Sequence, residues 1–392
     1  MLAMQNVFQT GQWHWKGFKL GLLSIFVLSM SLAVLAQPVS AALDSWTSTT
    51  SYPITTSLEN CVANSGFLSC VGNCCPETNL VYFAPLLLGG GVGSWSSSTN
   101  YPVNVAAESC VVNSGFIFCV GGATQPANAL DAVYFAPLSS SGVGAWTATT
   151  SYPKIIEYQS CVVNSGFIYC IGGDSFGNAL NNAVYFAPLS SSGVGAWTAT
   201  TSYPTNIRFH SCVTNSGFVY CIGGDPDFGG VTSAVYFAPL SSSGVGAWTA
   251  TTSYATNIES QSCVGDSGSV YCIGGFIPGV ARANAVYFAA LSSNGIGSWA
   301  ATSSYPLNVQ NLSCVDASGF MNCVAGFTGN PSSTNAVYFA SVAASVGGNV
   351  VPVNALALLA PYVLGTLSLS LALAITLLFR RTWKRKSVGK IK

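Results

Sequence analysis

Charge is what this sequence lacks. Only 6% of its 392 residues are Asp, Glu, Lys or Arg, against roughly 25% in an average soluble protein. Between residues 42 and 354 the cations are Lys154, Arg208 and Arg282, facing all twelve acids, a net charge of 3 − 12 = −9. A body so poor in Lys and Arg cannot neutralise phosphates, which sets nucleic acid aside as a partner. Histidine is nearly absent as well: His14 precedes the first apolar run, leaving His210. A histidine metal cluster, or several acid–base pairs, cannot be built from one imidazole. CxxC knuckles are missing too, so the fourteen cysteines point to disulfides in an oxidising compartment rather than to metal.

The ends differ from the body. Lys16 and Lys19 precede an apolar stretch from Leu20 to Ala36, with small residues suited to cleavage after Ala36 or Ala41. That pattern predicts a signal peptide over 1–41. Near the other end, Ala355 to Phe379 carries no charge and is followed by RRTWKRK. Such a run is long enough for a transmembrane helix over 355–379, and the basic tail 380–392 would stay in the cytoplasm. The expected arrangement is a single-pass cell-membrane protein: an ectodomain over 42–342 outside, and a linker over 343–354.

The body repeats. Trp46, Trp95, Trp146, Trp197, Trp248 and Trp299 recur at 49 and then 51 residues, as do the VYF triplets starting at Val81, Val133, Val184, Val235, Val286 and Val337. A period near 50 indicates a propeller or solenoid. One unit reads SCVVNSGFIYCIGG, a variable loop, NAVYFAPLSSSGVGAW, then TATTSYP. Apolar and β-branched runs between turn signals predict four strands, around SCVV, FIYCI, AVYFAPL and AWTATTSY.

An apolar strand ending in Gly-Gly, a variable loop, a Tyr strand and a Trp strand resemble the kelch repeat. Gly172-Gly173, Tyr185 and Trp197 fit it, as do Gly223-Gly224, Tyr236 and Trp248. The resemblance spans all six units, from about Trp46 to Phe339. It implies an all-β fold, a six-bladed kelch-like β-propeller. The first and last units depart from it, with Gly72-Asn73 and Ala325-Gly326. The region opens on a Trp strand and ends on a VYF strand, so the N-terminal strand is expected to complete the last blade and close the ring.

The spacing also fixes a cysteine register. A two-residue turn at Ser165-Gly166 sets Asn164 opposite Phe167 and, counting outward, Cys161 opposite Cys170 at a non-hydrogen-bonded site within disulfide range. The same count predicts Cys61–Cys70, Cys110–Cys119, Cys212–Cys221, Cys263–Cys272 and Cys314–Cys323. Cys74 and Cys75 are adjacent and suit a vicinal disulfide or a bridge to another chain.

Function is expected where the copies differ. The NSG turns and the SSSGVGA spacers are nearly uniform, whereas the loops leading into each blade and those after the Gly-Gly vary. In a propeller these two variable sets share one face, expected to point away from the membrane. The candidate ligand-binding residues are Glu108, Glu157, Tyr158, Arg208, Phe209, His210, Asp225, Asp227, Phe228, Glu259 and Arg282. Glu59, Asp131, Asp174 and Phe176 lie on the matching loops. Asp225 and Asp227 fall short of a full calcium loop, and Arg208 and His210 suit either a ligand or the blade itself.

The expectation is a cell-surface recognition or adhesion protein, not an enzyme, that binds glycan or protein through its outward loops without cofactor or metal. The alternatives are a surface carbohydrate-active enzyme, using paired carboxylates such as Glu108 with Glu157, and a structural envelope protein without a specific ligand.

Overall fold

The computed structural model of the chain describes residues 42–74, 76–124, 128–175, 179–329 and 332–342. The expected signal peptide, linker, transmembrane helix and tail lie outside these residues, as do Cys75 and Phe176. Among the described residues there is no helix, and none long and apolar enough to cross a membrane.

Six antiparallel sheets form the six blades of a β-propeller. In the third blade the strands Ser160–Asn164, Phe167–Ile171, Val184–Ser190 and Thr198–Ala199 follow one another from the inside outward. The last blade is composite. Its inner strands Ser313–Ala317, Phe320–Val324 and Val337–Ser341 are completed by Thr47–Ser48, with Thr47 opposite Phe339 and Ser48 opposite Tyr338. The N-terminal strand therefore closes the ring, as its position in the repeat requires.

Every inner hairpin turns on two residues of positive φ, such as Ser165 at 50° and Gly166 at 79°. That pair is the type I′ geometry whose twist matches the flanking strands. It sets Asn164 opposite Phe167 and Cys161 opposite Cys170. All six disulfides form as the register demands, with Cα–Cα distances of 4.0–4.1 Å. Replacing Cys161 and Cys170 by alanine should cost about 2–3 kcal/mol, the chain-entropy value for so short a loop. A urea titration reads this directly, and an unchanged midpoint would leave the staple without a stabilising role.

The apolar residues divide into six cores, each sandwiched between neighbouring blades. Between the third and fourth, Val162, Tyr169 and Phe186 meet Ile207, Val219 and the Cys212–Cys221 bridge. Two belts of hydrogen bonds link the blades. On the outside the indole of each of the six repeat tryptophans donates to a carbonyl of the preceding blade, from Trp46 to Ser303 O at 3.0 Å through Trp299 to Thr252 O at 3.3 Å. Further in, the amide of the first cysteine in five of the blades donates to a serine of its neighbour, as Cys161 N does to Ser109 Oγ at 3.0 Å.

The outer strand is shorter than its sequence suggests. Only Thr198–Ala199 of AWTATTSY pairs in the third blade, because Trp197 turns out to bond Thr150 O and Tyr203 dives into the core. Short ribbons absent from the four-strand reading also form, at Gly193–Val194 and within the variable loop at Asp174–Ser175 with Ala179–Leu180.

Candidate functional site at the axial mouth

Three successive positions of each leading loop build the mouth. The middle one is Leu58, Ala107, Tyr158, Phe209, Ser260 or Asn311, and all six have φ between 54° and 60°. A left-handed backbone costs a non-glycine residue roughly 1–2 kcal/mol, so something must hold it. Each amide donates to the carbonyl of its counterpart in the preceding blade, at 2.9–3.3 Å: Ala107 N to Leu58 O, Tyr158 N to Ala107 O, and on around to Leu58 N to Asn311 O. Six such bonds make a closed annulus about the axis.

That left-handed residue turns the next side chain inward. Glu59, Glu108, Gln159, His210, Gln261 and Leu312 are all buried, at 5–7% exposure. The two glutamines explain the position: Gln159 Nε2 donates to Val120 O at 2.7 Å and Gln261 Nε2 to Ile222 O at 2.8 Å. Glu59, Glu108 and His210 find no hydrogen-bond partner outside their own residue. Burial accordingly pushes the Glu108 carboxyl up to about 8, against a smaller pull from its own amide, and burial likewise holds Glu59 well above the usual carboxylate range, with a smaller push from Glu108. Burial lowers His210 to about 3, so it is a neutral ring stacked on Tyr203 at 5.9 Å. Glu108 and His210, expected among the outward ligand contacts, are thus placed inside the blades.

The position before the annulus faces the mouth, and here the chemistry gathers over three adjacent blades. Glu157, Arg208 and Glu259 stand where the other copies carry Ser57, Ala106 and Gln310. Backbone bridges tie these positions to the Gly-Gly loops of their own blades, Glu157 to Asp174, Arg208 to Asp225 and Glu259 to Phe276. Arg208 is clamped at the centre. Its Nε and Nη2 donate to Asp225 Oδ2 at 3.1 and 3.0 Å, and its Nη1 to Asp174 Oδ2 at 3.0 Å. Phe228 and Phe209 flank the guanidinium at 4.5 and 5.0 Å, and Tyr158 rests on Phe209 at 4.2 Å. An arginine so engaged is a fixed positive centre rather than a free fork for an anion.

Its neighbours are tuned by it. Burial raises Glu157 and Glu259 to about 7; Asp174 and Asp225 respectively add to this, while Arg208 pulls both back. Burial also pushes on Asp225, but the amides of Gly229 and Asp227 and the Arg208 contact more than offset it and leave this carboxyl below its usual range. Tyr158 is raised to about 12 by burial and by Glu157, so its phenol stays protonated.

The mouth therefore unites seven sequence candidates, Glu157, Tyr158, Arg208, Phe209, Asp225, Phe228 and Glu259. Asp174, only one of several acids on the matching loops, turns out to be half of the clamp. Its signal was the GGD sequence, which the third and fourth blades share. Asp227 is exposed on the loop beyond Asp225, and Arg282 stacks on Phe327 at 4.4 Å, over the fifth and sixth blades. Asp225 is spent on Arg208 and two amides, which leaves Asp227 as the one carboxylate of the calcium reading. One group among the described residues has metal-ligand types within 4.8 Å, namely His210, Cys212 and Cys221. Both sulfurs are already joined to each other.

No family model and no curated protein matches the sequence. Among solved structures the chain is similar to one described as "Structure of YjhT". Identity is 10%, 73% of this chain and 95% of that one are covered, and the TM-score is 0.62. At this identity the likeness shows the fold alone. That fold leaves catalysis open, so the expectation that the chain is not an enzyme is withdrawn. The chain is accordingly described as a six-bladed, disulfide-stapled β-propeller, similar in fold to YjhT.

Proposed function

We propose that the axial mouth is the active site of a carbohydrate-active enzyme. One observation carries this reading: Glu157 and Glu259 flank a clamped Arg208, and each titrates near 7. Glycoside chemistry needs one carboxyl protonated, to donate to the leaving oxygen, and one ionised, to act as base or nucleophile. Two carboxyls near neutrality satisfy that division at the working pH. Tyr158, Phe209 and Phe228 supply rings on which a sugar can stack. The repeat pattern at Gly172-Gly173, Tyr185 and Trp197 further supports kinship with kelch propellers.

Incubating the protein with a broad glycan panel should release new reducing ends, with a bell-shaped pH profile centred near 7. Glu157→Gln and Glu259→Gln should each lower kcat about 10²–10⁴-fold. Absence of turnover by folded protein would overturn the reading.

The second reading is cell-surface recognition, favoured by the aromatic rim, where Phe228 is 41% exposed. Saturable binding without turnover, retained in Glu157→Gln and lost in Phe228→Ala, would select it.

A further inference from the structure

The opposite face carries one departure from uniformity. After the third strand, four blades place a pair of serines: Ser139-Ser140, Ser190-Ser191, Ser241-Ser242 and Ser292-Ser293. The first of each pair caps its own turn, as Ser190 Oγ does by donating to Gly193 O at 3.2 Å. The first blade has Leu87-Leu88 instead, in a turn one residue longer. Leu88 is as exposed as a free side chain, at 104%, and Leu87 is 49% exposed. Hydrophobic side chains scattered singly on a surface need no explanation. An adjacent pair held out where the repeat specifies serine does.

The turn is built to project them. Gly90 and Gly91 have φ of 88° and 77° and lie flat on the last blade; a Cβ on Gly90 would sit 2.5 Å from the rings of Phe320 and Phe339. Phe339 belongs to Val337–Ser341, the last strand before the chain leaves this face. The leucines thus stand beside the exit point. Twelve residues beyond Val342 begins the uncharged run from Ala355 to Phe379, closed by RRTWKRK. Twelve residues reach at most about 40 Å, so a chain anchored by that run keeps this rim close to the bilayer. At such effective concentration even a weak contact is populated.

We propose that Leu87 and Leu88 insert into the lipid interface and seat the uniform face of the propeller on the membrane. The proposal rests on 355–379 being a membrane span. The serine turns around it are uncharged, and the charges this face does carry are acidic, Asp44 at the seam and Asp266 and Asp316 beside the hairpin turns of the fifth and sixth blades, so a neutral bilayer suits it better than an anionic one.

The test uses the full chain in lipid nanodiscs, with a nitroxide attached at Leu88→Cys or at Ser191→Cys in the equivalent turn two blades on, the six native disulfides being verified by mass. Collision rates with oxygen, which concentrates in lipid, and with a neutral nickel chelate, which stays in water, are compared. The expected result is an oxygen-to-nickel ratio at least about fivefold higher at position 88 than at 191. Equal, water-like ratios would overturn the proposal. Protection of position 88 from both reagents, together with a dimeric mass, would overturn it in favour of a second copy of the chain. Failure of the full chain to enter nanodiscs would instead remove the membrane span on which it rests.

Discussion

Replacing Glu108 with glutamine is expected to stabilise the propeller, and to do so more strongly as the pH rises. The folded state holds this carboxyl near 8, whereas in the unfolded chain it titrates near 4.5. Below about 4.5 both states are protonated and the wild type loses nothing. From there to about 8 the unfolded chain releases a proton that the folded one retains, so folding weakens steadily. By pH 7 the loss is on the order of 3 kcal/mol. Glutamine removes it, and at the same repeat position Gln159 and Gln261 already donate to a backbone carbonyl at 2.7 and 2.8 Å. The gain in urea stability over wild type should therefore be small at pH 4.5 and level off above pH 8. Glu59→Gln should behave likewise. His210 has the opposite sense, since its contribution is lost as pH falls from about 6.5 through about 3, but it is common to both proteins and cancels in the difference. A gain that did not change with pH would mean that Glu108 is not held neutral.

Arg208→Met should be among the most damaging single changes in the chain. It leaves Asp174 and Asp225, with side chains 7% and 3% exposed, facing each other without their shared cation. Removing one partner from a buried ion pair costs about 3–5 kcal/mol, because the remaining charge cannot return to water. Adding Asp174→Asn and Asp225→Asn to Arg208→Met should recover much of that loss. A second readout separates this clamp from mere packing. Arg208 now pulls Glu157 and Glu259 down, so its loss should move their titration above 7, seen by NMR of the carboxyl carbons. A cost below about 1 kcal/mol, with both titrations unmoved, would show that Arg208 organises nothing.

The scaffold was legible because its signals are local and repeated. C-x8-C around a two-residue turn admits one register, and a Trp strand at the front with none at the back admits one closure. The mouth was only half legible. Burial of Glu108 and His210 follows from the left-handed residue before them, which breaks the alternation expected of an extended strand. No residue type announces that conformation, since Leu58, Ala107, Tyr158, Phe209, Ser260 and Asn311 share no chemistry. Leu312 was the available clue: an apolar side chain at the same repeat position marks it as inward. The Asp174 half of the clamp comes from the neighbouring blade, and one-dimensional reading does not show which loops converge.

Closure by the first strand also sets a clock on biosynthesis. Asp44 and Ser341 touch across the seam of the last blade although they are 297 positions apart. At 5–20 residues per second, ribosomes need roughly 15–60 s to supply that partner. Throughout this interval Thr47–Ser48 has emerged and has nothing to pair with, and the first blade shows its flank to whatever is nearby. The six staples close within their own hairpins, only nine residues apart. Each blade can therefore be locked as it appears, and the waiting edge belongs to a row of finished pieces rather than to an unfolded chain.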